Sequence, residues 1–162
     1  MFKESNMNLK ETYPETVREL KDNFSNPELP KPVIELSELE KLCEGDLILE
    51  GLLSEVVDYC ERYTETVAQY QEFDSRENTR ENQEEKAKFD KEKRVVHNAT
   101  IDSINILARA LIKSGKNGQW IESLHGSTGS RATYATFALR TTYQRLIEME
   151  VLENGKEDNG QI

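Results

Sequence analysis

The side chains best placed to do chemistry are carboxylates. Glu35 and Glu38, and again Glu55 and Asp58, stand three residues apart. That spacing sets two acids on one helix face, where they could share a hard divalent cation. His97 and Arg140 are misfits of another kind, each falling within the apolar arc of its helix. A ring there needs a hydrogen-bond partner, and a guanidinium needs a carboxylate or a binding partner. A third constellation is the loop from His125 into Arg131. Its Ser127, Thr128, Gly129, Ser130 and Arg131 could offer backbone N–H groups, hydroxyls and a guanidinium to an anion at a helix N-terminus. The loop lacks the spacing and lysine of a P-loop, and an ordinary capping loop also accounts for it. Cys43 and Cys60 fit no metal or redox spacing and are expected to be buried free thiols.

Two of these patterns resemble known families. Glu35-x-x-Glu38 and Glu55-x-x-Asp58 resemble the carboxylate pairs that hold Mg²⁺ in all-α nucleotide pyrophosphohydrolases, a resemblance that implies Mg²⁺-dependent hydrolysis; apart from it, no cofactor is expected. With 31 acids among 162 residues such pairs arise freely. Ser37 as a helix cap would leave Glu35 outside the helix, and Glu55 and Asp58 belong to an outer acidic face. Arg94, three residues before His97, resembles the Arg and His carried on one helix by all-α ribonucleases, which space them more widely. No candidate nucleophile lies near His97 in the sequence.

The elements that must position these residues are helices. Gly and Pro are sparse, strong helix formers abound, and no segment alternates as a strand would. Thr12 with Glu15 and Ser37 with Glu40 have capping-box spacing, predicting helices from about 13 to 24 and from 37 to Gly45. Pro27, Pro30 and Pro32 make an extended connector between them. Asp46 caps a long helix in which Leu49, Leu52, Leu53, Val56, Tyr59, Cys60, Tyr63, Val67 and Tyr70 fall within about 80° of Leu49 at 100° per residue. Glu50, Asp58, Glu61, Glu65 and Glu72 are assigned to the opposite, acidic face.

Around residues 74–94 the apolar seam thins to Ala87 and Phe89, but the residue types and four-residue charge spacings still favour helix, predicting a projecting helical arm or a junction. A helix from about 91 to 113 and a last one from Ser130 to about 152 complete an all-α helical bundle with two or three long helices. The expected divisions are an N-terminal helix and connector (1–36), the bundle (37–152) and a flexible acidic tail (153–162).

Charge is unevenly spread. Residues 1–92 hold 24 acids and 12 bases, whereas 93–147 hold 2 acids and 8 bases, within a net charge of −10. The basic residues of the last helix form no single stripe, which argues against direct nucleic-acid readout. No apolar run is long enough to cross a bilayer and the N-terminus lacks a secretory signal, so a cytoplasmic protein with no membrane partner is expected. The leading functional expectation is a non-enzymatic interaction protein, bacterial or phage-encoded, that binds itself or a partner protein. Tyr59, Tyr63, Tyr70, His97 and Arg140 are its interface candidates. The alternatives are an acidic mimic of nucleic acid, using the carboxylate face, and the pyrophosphohydrolase.

Overall fold

The computed structural model describes residues 9–25, 33–125 and 130–160, the side chains of 130–132 and 154–160 excepted. Among the described residues seven helices run in order: α1 (Leu9–Thr12), α2 (Pro14–Phe24), α3 (Leu36–Cys43), α4 (Leu47–Asp74), α5 (Arg80–Lys113), α6 (Trp120–His125) and α7 (Ser130–Gly160). Among the described residues there is no strand, and the chain is an all-α bundle. No described helix is long and apolar enough to cross a membrane.

α4 and α5 form an antiparallel hairpin. Going down α4 and up α5, the Thr100 hydroxyl donates to the Tyr59 carbonyl at 3.3 Å, Tyr63 meets His97 at 5.6 Å between ring centroids, and Phe73 meets Phe89 at 5.2 Å. Lys86 then reaches Asp74 at 2.6 Å near the tip. The segment expected to be an arm or junction is this tip. Its turn, 75–79, contains neither Gly nor Pro and is built by side-chain capping instead. Ser75 Oγ donates to the Glu72 carbonyl, and Thr79 Oγ1 accepts the Asn82 N–H that starts α5. α5 therefore begins at Arg80, a full three turns before the start expected near residue 91. Phe89 anchors that added length by burial against Phe73.

The other ends divide between local and tertiary control. Asp46 caps α4 as expected, accepting from the Ile48 and Leu49 N–H groups at 3.0 and 3.1 Å. Gly115, at φ +73, stops α5: its N–H donates to Ile112 and that of Lys116 to Leu111. Neither predicted capping box forms. Tyr13 precedes α2 with no side-chain cap, Thr12 being taken up in α1. α3 starts at Leu36, whose N–H is satisfied by the Gln144 side chain from α7 at 2.8 Å rather than by Ser37. The last helix, expected to end near 152, continues to Gly160. The prolines of the connector lie outside the described residues.

α4 is buried on two sides, which a single seam did not anticipate. Leu49, Leu53, Val56, Cys60 and Tyr63 join Ile104, Leu107 and Leu111 of α5 in the main core. A second stripe, Val57, Glu61, Thr64 and Ala68, is also buried. Along this stripe Thr64 and Thr142 of α7 share a 2.7 Å hydroxyl hydrogen bond, while each hydroxyl is also within hydrogen-bonding reach of a carbonyl one turn earlier in its own helix. Small side chains let the two helices approach, and the satisfied hydroxyls cost little there. Trp120 stacks on Phe137 at 6.2 Å, closing α6 over the same core. A smaller cluster of Leu9, Val17 and Leu20 packs on Leu139, Tyr143 and Leu146, docking α1 and α2 against α7.

Candidate functional site

The second half of the α4/α5 hairpin opens into a cleft of about 510 Å³. α5 supplies Asp90, Lys93, Arg94, His97 and Asn98, with spacings that bring two successive turns to one side of the helix. Tyr63 of α4 and Ala135 of α7 form the rest of the wall. Tyr63 is only 8% exposed, its ring tilted 45° against His97, and burial pushes its hydroxyl above the usual range. His97 is thus half-buried beside an aromatic ring and held by contacts within the chain. Lys93 Nζ sits 4.3 Å from the Tyr70 ring centroid, facing a π-cloud. Arg94 is exposed, and neither it nor Lys93 forms an ion pair among the described residues. By contrast Arg62 of α4, Arg76 of the turn and Arg80 and Lys86 of α5 each pair with a carboxylate, whereas Lys88, Lys91, Arg109 and Lys113 of α5, away from the cleft, do not among the described residues. In Lys86 the Asp74 hydrogen bond, with a lesser contribution from Tyr70, raises the ammonium pKa.

No family model, curated protein or solved structure matches this chain.

The tyrosines proposed as interface residues are largely occupied at home. Tyr63 belongs to the core, Tyr70 lies under Lys86 and Lys93, and Tyr59 is covered by Arg62 at 5.4 Å. Arg140 is held inside the molecule. It pairs with Glu35 at 3.4 Å, donates to the Phe24 carbonyl at 2.6 Å, and lies over the rings of Phe24 and Tyr143. One guanidinium thereby ties the end of α2 and the start of α3 to α7.

The acidic face is corrected at Glu61, which is 4% exposed and engaged in a polar contact. At about 120° round the helix from Leu49 it falls on the flank that α7 covers. Glu50 and Glu65 are half-buried, and Asp58 and Glu72 are exposed but paired with Arg62 and Arg76. Of the four carboxylates considered for Mg²⁺, Glu35 is taken by Arg140 and Gln144 while Glu38, Glu55 and Asp58 are exposed. Among the described residues no three His, Cys, Asp or Glu side chains converge as a metal site would require. Ser127, Thr128 and Gly129 lie outside the described residues; Ser130 and Arg131 open α7, with side chains likewise outside them. Both cysteines are free and buried, and burial raises the thiol pKa, to about 11 for Cys43.

Two groups of residues escaped the sequence reading. Asp90, Lys93 and Asn98 share a helix side with Arg94 and His97, a pattern visible in their spacing, but only the fold supplies the wall opposite. The other group is Glu40 of α3 with Glu148 of α7. Burial first, then the hydrogen bond and charge of Glu148, push the Glu40 carboxyl up to about 7 against the pull of Arg145. Since 108 residues separate the two in sequence, no local pattern marks them as a pair.

Proposed function

We propose that the chain is a non-enzymatic helical interaction protein that receives an anionic segment of a partner protein in the α4/α5/α7 cleft. The observation that carries this reading is the pair Lys93 and Arg94, two cations at an open cleft without a carboxylate partner among the described residues, on a chain of net charge −10. Cations left uncompensated where solvent and a ligand both have access favour encounter with an oppositely charged surface and fix its register. The apolar seam of α4, expected to serve self-association or a partner protein, is occupied by α5 and α7, which supports the cleft over the seam as the docking place.

The test is site-directed photocross-linking in the source cell. A cross-linker replacing Asn98 should capture one partner, and the same group replacing exposed Glu55 should not. Capture of a second copy of this chain at position 98 would replace the partner protein by self-association. Equal capture at both positions would remove the cleft from the reading.

A further inference from the structure

Resting on the reading of the cleft as a docking site, we infer that the group it receives is a phosphate monoester on the partner, carried by a phosphorylated side chain. The reasoning begins with Asp90. This carboxylate already lines the cleft with Lys93 and Arg94, yet it forms no ion pair with either of them. A carboxylate on a partner, like Asp90, brings only a single charge to the two cations. A phosphate monoester differs in kind. It carries roughly −1.5 to −2 charges near neutral pH and three strong acceptor oxygens. Those oxygens match a donor set of an ammonium and a guanidinium, and the planar guanidinium is suited to grip two of them at once. Tyr63 and Ala135 give the cleft an apolar side against which the carbon skeleton bearing the phosphate can lie.

The geometry also assigns opposite roles to two neighbours on α5. Arg94 attracts the incoming dianion, and Asp90 repels it. Neither side chain has an ion pair to lose among the described residues, so replacing either leaves the fold's own pairing intact. A purely structural role for these residues would not produce effects of opposite sign on ligand affinity.

The experiment uses the full chain, labelled with ¹⁵N, titrated with phenyl phosphate and, separately, with phenylacetate as a carboxylate of similar size. Phenyl phosphate should shift the amide signals of residues 90–98 saturably and bind roughly tenfold more tightly than phenylacetate, as a second charge and further charge-assisted hydrogen bonds imply. Arg94→Gln should weaken that binding roughly tenfold, Asp90→Asn should tighten it several-fold, and exposed Lys88→Gln should leave it unchanged. Equal affinity for the two probes, shifts outside the cleft, or no gain from Asp90→Asn would overturn the phosphate assignment. The docking reading is tested apart from it. A partner captured at position 98 whose binding survives phosphatase treatment defeats the phosphate inference alone, whereas capture unrelated to the cleft defeats both.

Discussion

Arg140 shows how much one side chain holds. Its side chain is about four-fifths buried and satisfies the Glu35 carboxylate and the Phe24 carbonyl together, so truncation deprives the Phe24 carbonyl of this donor and leaves Glu35 to Gln144. Replacing it with Met keeps the packing stem over Phe24 and Tyr143 while deleting the charge. Arg140→Met should lower the unfolding free energy by about 2 kcal/mol in urea titrations, below the full cost of breaking a deeply buried pair because water still reaches this one. Arg18→Met removes an exposed pair with Glu15 and should change stability by less than about 0.5 kcal/mol. At this scale the sequence marks the misfit but not its solution. A cation on an apolar arc announces that a partner exists; Glu35, 105 residues away, becomes that partner only when α3 docks on α7. Glu61 reads the opposite way. Its place at the margin of the α4 seam looks solvated until a second helix covers that flank.

Among the elements, α3 depends most on a neighbour. Its first N–H is capped by Gln144, and Glu40 faces α7 through Glu148 and Arg145, sharing a surface pocket with Lys41 of α3, Glu44 just past its end and Glu50 of α4. A carboxyl held near pKa 7 in the folded chain but near 4.5 when exposed binds its proton more tightly in the native state. Between these values the folded form holds more protons than the unfolded form, so stability falls as pH rises from about 4.5 to about 7, and this contribution is then lost. Solvent screening of a partly exposed pair reduces the effect to about 1 kcal/mol. Urea midpoints measured at pH 5 and pH 7.5 should therefore drop more for the wild type than for Glu40→Gln, in which the neutral amide keeps a hydrogen bond to Glu148 at both values. Equal drops would show that the pair does not govern this slope. Elements were legible wherever the cause was local, as at the Asp46 cap, the end of α5 at 113 and the core face of α4. They were not where a turn lacks Gly and Pro, or where a tertiary contact supplies the cap.

For the whole molecule, charge and stability separate along the hairpin. The tip is bound by pairs such as Asp74 with Lys86 and Arg76 with Glu72 and Glu85, and by Phe73 against Phe89, while the cleft lower down keeps Lys93 and Arg94 out of any such pair. Reversing both, as Lys93→Glu with Arg94→Glu, should cost the fold only about 0.5 to 1 kcal/mol, chiefly the contact of Lys93 with the Tyr70 ring. Association should respond far more. The protein as a whole repels an anionic partner and the two cleft cations draw it in, so the double reversal should abolish capture at position 98 while the circular dichroism spectrum and urea midpoint remain close to wild type. Raising salt should slow wild-type association several-fold, because the screening length shrinks from about 10 Å at 0.1 M to about 3 Å at 1 M. A double variant that unfolds in parallel with its loss of binding would make the two cations structural; one that stays folded and still captures the partner would move the interface elsewhere on the bundle.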